Sequence, residues 1–204
     1  NNCFNLTQRN SVSQVKQMLY GHYAGNNKSF PDFVQKEKEM DVRFETKHGN
    51  KAGKHEWLTP KEIVDTLGPF DLDPCFSEPR PWETATNYYT ESDDGLAQVW
   101  NGFVWCNPPY GKHTEKWLEK MAEHKRCIGL IFARTETKMF RKFIWERAKA
   151  VLFCYGRLTF HHVTGEKGDM SAGAPSCLVA WDSEGVERLK RYTKGKLVLI
   201  NQDV

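Results

Sequence analysis

The sequence predicts an α/β domain with a largely parallel sheet and helices on both of its faces. From Glu56 onward, short apolar runs of strand length alternate with amphipathic helical stretches. The run Cys127 to Ala133 reads as a buried strand, as expected when helices cover both faces of a sheet. A second strand-like run, Gly102-Phe103-Val104-Trp105-Cys106, ends in Asn107-Pro108-Pro109-Tyr110-Gly111. Adjacent prolines cannot donate to a ladder, so the chain leaves the sheet there in a stiff extended turn. The carboxyl edge of an open α/β sheet is where ligands bind.

The elements follow in order. Thr59-Pro60-Lys61-Glu62 is a helix start: Thr59 can cap, Pro60 suits the first helical position and Glu62 completes a capping box. That helix runs to about Leu67 and stops at Gly68-Pro69. Phe70-Asp71-Leu72-Asp73 is a short strand ended by Pro74, and Phe103 to Cys106 is the next. His113 to His124 is an amphipathic helix with Trp117, Leu118 and Met121 on one face. After the strand Cys127 to Ala133, Thr137 to Ala148 is a helix with Phe140, Phe143 and Ile144 inward and Lys138, Arg141 and Lys142 mostly outward. Ala150 to Tyr155 is a strand, and Leu158 to His161 is a candidate one. Beyond a Gly-containing loop come a strand at Ser176 to Trp181, a helix at Glu184 to Arg191 and a strand at Lys196 to Ile200.

The chain has 204 residues, 39% of them hydrophobic, enough for one well-cored domain. Two parts are expected: a basic leading segment, 1–55, and a folded core, 56–204. Residues 1–55 hold nine Lys/Arg against five Asp/Glu, leaving the rest one charge negative within a net +3. That asymmetry suits contact with a polyanion. Within 1–55, Ser11 to Tyr20 is a candidate short helix. No apolar run approaches the ~20 residues of a membrane span, and no leader pattern opens the chain. The cysteines at 3, 75, 106, 127, 154 and 177 form no CxxC pair and read as buried reduced thiols in a cytoplasmic protein. His161-His162 lacks nearby cysteine partners, so no metal is expected.

The Asn-Pro-Pro-Tyr turn carries the chemistry. The Asn107 side-chain oxygen and the Pro108 carbonyl are two acceptors able to hold an exocyclic amino group, and Tyr110 offers a face for a base. An amino nitrogen held this way turns its lone pair toward an electrophile by positioning and electrostatics, without a strong base.

Trp57-Leu58-Thr59-Pro60, Phe70-Asp71-Leu72-Asp73-Pro74-Cys75, Asp94-Gly95-Leu96 with Trp100, and Trp105-Cys106-Asn107-Pro108-Pro109-Tyr110-Gly111 occur in that order. Together they resemble the phage-type Dam-like DNA N6-adenine methyltransferases over about residues 56–181. The resemblance implies a Rossmann-like S-adenosylmethionine-dependent methyltransferase sheet, S-adenosylmethionine as cofactor and DNA as partner. It also implies, if the protein is phage-encoded, a bacterial host cytoplasm. Asn107, Pro108, Pro109 and Tyr110 would hold a flipped adenine. Asp71, Asp73, Pro74 and Cys75 would lie beside the cofactor, with Asp73 favoured over Asp71 for its ammonium or ribose hydroxyls. Thr59 and Pro60 resemble the element that touches the methionine carboxylate, a role compatible with a helix cap. Asp94, with Asp93 as rival, resembles the acid that meets the cofactor's adenine.

Arg134 is expected to meet a phosphate or base edge, or else to pair with an acid. Phe160 is either core or a second stacking ring. Loops such as 161–175 and the basic face of Thr137–Lys149 are further candidates for DNA contact. In place of a glycine-rich loop after the first strand, the sequence reads Cys75-Phe76-Ser77-Glu78-Pro79-Arg80-Pro81, and no GxGxxG or Walker-type loop is present. The residues leave open methylation of cytosine N4, RNA or a protein glutamine, and a non-catalytic nucleic-acid-binding module on the same fold.

Overall fold

The computed structural model describes residues 57–169 and 171–201. The leading segment 1–55 and its candidate helix at Ser11 to Tyr20 lie outside them. In chain order come α1 (Lys61–Leu67), β1 (Leu72–Asp73), β2 (Asn87–Tyr88), a 3-10 turn (Glu91–Asp93), β3 (Val104–Cys106), α2 (Thr114–His124) and β4 (Cys127–Phe132). Then follow α3 (Lys138–Phe140), a π-helical turn (Arg141–Trp145), β5 (Ala150–Cys154), β6 (Ser176–Ala180), α4 (Ser183–Leu189) and β7 (Gly195–Leu199). The strands form one mixed sheet in the order β2-β1-β3-β4-β6-β5-β7.

Strand alternation sends side chains to two separate apolar layers. Val104 and Cys106 of β3 pack with Trp117, Leu118 and Met121 of α2 and with Phe140, Phe143 and Ile144. Phe103 and Trp105 point the other way, against Ile63, Val64 and Leu67 of α1 and Val186 and Leu189 of α4. Helices therefore cover both faces. The helix after Thr137 opens into a π turn, in which the Glu146 N–H donates to the Arg141 carbonyl. The Trp181 indole N–H reaches the Phe143 carbonyl at 2.9 Å, and a side chain inserted into a helical ladder loosens it at that point.

Four expectations need correction. The sheet is not largely parallel: β2, β1, β3 and β4 run parallel, but β6 pairs antiparallel with both β4 and β5, and β7 antiparallel with β5. The chain leaves β5 through a loop, 155–175, instead of a crossover helix, so β6 returns in the opposite direction. The two-residue strand β2 was not foreseen, because Asn87 and Tyr88 are both exposed and carry no apolar pattern. Leu158 to His161 is not a strand; only His161 bridges, to Leu58 and to Lys167. Thr59 does not cap α1. Pro60 occupies the cap position with no side-chain cap bond, and Glu62 pairs with Lys194 at 2.5 Å instead of closing a capping box.

Candidate functional site

Because β1, β3 and β4 are parallel and β5 runs the same way, Asp73, Cys106, Phe132 and Cys154 all end their strands at one edge of the sheet. β6 begins at that edge with Ser176. The β3–β4 ladder stops at the pair Cys106–Gly129, and the Pro-Pro turn then lifts the chain away.

Asn107 is half-buried, and its side-chain Oδ1 is buried without a hydrogen-bond partner. Such an atom forgoes its hydration for nothing unless a donor reaches it, a loss of about 1–3 kcal/mol. Pro108 is buried, and no hydrogen bond reaches its carbonyl among the described residues. The Pro109 carbonyl accepts from the Thr114 hydroxyl at 3.2 Å, which in turn accepts from the Gly111 N–H at 2.9 Å. These bonds tie the turn to the start of α2. Tyr110 keeps 41% of its surface exposed. Its hydroxyl nevertheless donates inward to the Leu130 carbonyl at 3.3 Å, and burial of that end holds the phenol well above its ordinary range. Its ring stacks on Phe132, centroids 4.1 Å apart. The carbonyl of Asn107's neighbour and the Asn107 amide thus stand open while the aromatic ring beside them is anchored.

At the two ends of β1 the two acids have different surroundings. Asp73 is 2% exposed and points inward. Its carboxylate accepts from the Cys75 N–H at 2.9 Å, from the Thr84 hydroxyl and from Arg80 at 3.3 Å. Burial holds its carboxyl above the usual carboxylate value, with Arg80 and the hydrogen bonds pulling the other way. Asp71 is exposed, yet its carboxylate accepts from the Phe103 N–H at 2.6 Å, where β1 is fastened to the start of β3. It precedes the strand in the chain and so lies away from the carboxyl edge. Pro74 is buried. The Cys75 thiol sits 3.7 Å from that of Cys106, and burial pushes it well above its ordinary pKa, so it stays protonated and un-nucleophilic.

The segment 76–84 explains how the edge is built without a glycine-rich loop. Arg80 folds back over the Phe76 ring, 3.8 Å from its centroid, and donates to the Ser77 carbonyl, Thr84 and Asp73. The close backbone approach comes from Gly95, where a Cβ would collide with the Pro74 carbonyl. Asp94, just before it, holds a left-handed backbone (φ 51°) and is exposed; no hydrogen bond reaches its carboxylate among the described residues, and Lys120 is a charge close enough to act on it. Its rival Asp93 is engaged: its carboxylate accepts from both the N–H and the hydroxyl of Thr90 at 2.7 Å, which holds it below the usual range. Lys120 donates to the Leu96 carbonyl at 2.6 Å and the Trp100 indole to that of Gly95 at 2.8 Å, fixing the corner.

The remaining predicted residues separate. Thr59 is buried at 4% exposure beside Leu58, which pairs with His161. Pro60 is half-buried at the head of α1. Arg134 is exposed just past β4, and its guanidinium has no partner among the described residues. Phe160 is 8% exposed and packs in the layer of α1 and α4, so it is core and not a presented stacking ring. His161 meets the Gly165 carbonyl at 2.9 Å and the edge of Trp82. Among the described residues no cluster of three or more His, Cys, Asp or Glu side chains is arranged to hold a metal, and no helix is long and apolar enough to cross a membrane. Sequence reasoning missed Arg80, Thr84 and Phe132 and gave Gly95 no role, although Gly95 stands in the Asp94-Gly95-Leu96 motif. Phe132 also had a signal, as the last large apolar residue of a strand whose carboxyl end was already of interest.

Residues 46–194 match the model of a family described as DNA N-6-adenine-methyltransferase (Dam). No curated protein and no solved structure matches the chain.

Proposed function

The chain belongs to the Dam family of DNA N-6-adenine-methyltransferases, and from that premise we propose that it methylates N6 of an adenine swung out of a DNA duplex, with S-adenosylmethionine as donor. The observation that carries this reading is the buried, unpartnered Asn107 Oδ1 beside the unbonded Pro108 carbonyl. Two acceptors at a strand end match the two hydrogens of an aromatic amino group. Held by both, the nitrogen loses conjugation with its ring and becomes the nucleophile.

The sheet order supports a Rossmann-like methyltransferase reading, with two antiparallel strands, β6 and β7, beside the five that run parallel. When bound, S-adenosylmethionine supplies an electrophilic sulfonium methyl. The donor set at the edge fits such a molecule. Asp94 presents a carboxylate with no hydrogen bond among the described residues, suited to an amino group or ribose hydroxyls, and Pro74 and Cys75 form the adjoining wall. Thr59 adds a hydroxyl for a carboxylate. Asp73 acts indirectly, by holding Cys75 and the Arg80 loop in place. Tyr110, braced on Phe132, is the surface on which the extruded base stacks, offsetting an unstacking cost of a few kcal/mol. Arg134 is free to meet a phosphate, and the basic segment 1–55 adds sequence-independent attraction to the duplex.

The test is to incubate the full chain with duplex DNA and methyl-labelled S-adenosylmethionine, digest the DNA and separate the nucleosides. Label in N6-methyldeoxyadenosine is the expected result. Label in N4-methyldeoxycytidine, or none in DNA, overturns the proposal.

A further inference from the structure

The Ser176 hydroxyl is the second unexplained polar atom at this edge. Ser176 is 1% exposed, and its Oγ has no hydrogen-bond partner. It opens β6 directly opposite Phe132 of β4. The next pair along, Ala133 with Pro175, is the hydrogen-bonded one, joined at 2.8 Å. Phe132 and Ser176 therefore face each other as a non-hydrogen-bonded pair, the arrangement that brings side chains closest, with Cβ atoms about 5 Å apart. Ser176 consequently stands beside the ring on which Tyr110 stacks. Its neighbour Cys177 turns to the opposite layer, while Leu178 shares the layer of Ser176.

A serine hydroxyl in a sheet usually finds a carbonyl or water, so a buried one left unpaired needs an explanation. Asn107 Oδ1, an acceptor, and Ser176 Oγ, a donor, are orphaned at the same strand ends. Between them lies β4, which sets β3 and β6 roughly 10 Å apart. Two hydrogen bonds of about 2.9 Å with the width of one flat heterocycle between them add up to a span of that order. An aminated heterocycle has the matching pattern, a donating NH₂ and an accepting ring nitrogen. We infer that Ser176 is a base-reading residue, whose hydroxyl donates to a ring nitrogen of the extruded base while Asn107 and Pro108 hold its amino group. The inference rests on the function proposed above and adds to it a specificity contact from a different strand.

The test compares wild type with Ser176→Ala and Ser176→Cys on ordinary DNA and on DNA copied with 7-deazaadenine or 3-deazaadenine, each lacking one ring nitrogen. With no protein partner to lose, both variants should melt at or above the wild-type temperature and bind S-adenosylmethionine as tightly. On ordinary DNA, kcat/KM should fall about tenfold, the worth of one hydrogen bond. Wild type should lose a similar factor on one of the two analogues, and Ser176→Ala should be indifferent to that substitution. Turnover of both variants within twofold of wild type overturns the inference. So does an analogue penalty that persists in Ser176→Ala, or a lowered melting temperature in both variants, which would make the hydroxyl structural. If wild type itself transfers no methyl to ordinary DNA, the proposed function and this inference fall together, whereas a wild type that methylates adenine while Ser176→Ala matches it removes only the latter.

Discussion

The Tyr110 and Phe132 rings lie 18° from parallel with centroids 4.1 Å apart. Tyr110 belongs to the turn after β3 and Phe132 ends β4, so the ring in the Asn-Pro-Pro turn is held by β4. Phe132→Ala should lower stability by about 2 kcal/mol, less than the ~3–5 kcal/mol of a fully buried Phe, because Phe132 is only half-buried. Methyl transfer should fall roughly tenfold as the stacking surface loosens. Tyr110→Phe keeps the stack and loses only the bond to Leu130, so its turnover should stay within about threefold of wild type. Thermal melts and methyl-transfer assays on the three proteins read both effects, and equal losses for Phe132→Ala and Tyr110→Phe would contradict the bracing role.

Asn107→Ala removes a buried acceptor that has no partner in the protein. Folding stability should be unchanged or slightly higher, while methyl transfer falls on the order of 10²–10³-fold, as when a positioned polar group is removed from a reacting centre. Calorimetry should find S-adenosylmethionine affinity nearly intact. Turnover surviving in this variant would remove the amino-gripping role.

Arg80 and Asp73 form a buried ion pair, with side chains 7% and 3% exposed. Arg80→Met strands the Asp73 carboxylate and should destabilise the fold by about 3–5 kcal/mol. Replacing Asp73 by Asn in the same chain should recover part of that loss. Chemical denaturation of the single and double variants measures it, and additive losses would show that the two are not coupled.

Asp94→Asn leaves the corner's backbone intact, since no hydrogen bond holds the carboxylate among the described residues and Lys120 acts on it only through charge. Cofactor affinity should drop about tenfold with little change in melting temperature. Gly95→Ala should instead disturb the fold, because the added methyl meets the Pro74 carbonyl. A titration of either variant with S-adenosylmethionine that matches wild type would place the cofactor elsewhere.

Asp93 supplies the pH dependence of this corner. Its hydrogen bonds from Thr90 hold its folded-state pKa below the ordinary 3.8. A depressed carboxylate pKa stabilises the fold above the unfolded value, and that contribution disappears as pH falls through the folded one, here below 3.8. Thr90→Val should move the Asp93 titration, followed by carboxyl NMR, back up toward 3.8. An unmoved titration would mean that the Thr90 hydroxyl is not its cause.

Local pattern was enough for the helices at Lys61–Leu67 and Thr114–His124, for the buried strand at Cys127–Phe132 and for the Asn-Pro-Pro-Tyr turn, whose stiffness is a property of proline itself. The order of the strands was decided only by packing. The antiparallel β6 enters between β4 and β5 because a loop, not a helix, joins β5 to it, and an apolar strand reads the same in either direction. The acids show the same division. That Asp73, Asp93 and Asp94 fall near the carboxyl ends of the strands was legible from spacing, whereas Asp71 sits before β1. Which of the four stays without a hydrogen bond depended on Phe103, Arg80, Thr84 and Thr90, donors supplied by other segments. Ser176 lies 69 positions after Asn107 in the chain and reaches the same edge only because the sheet folds β6 back beside β4.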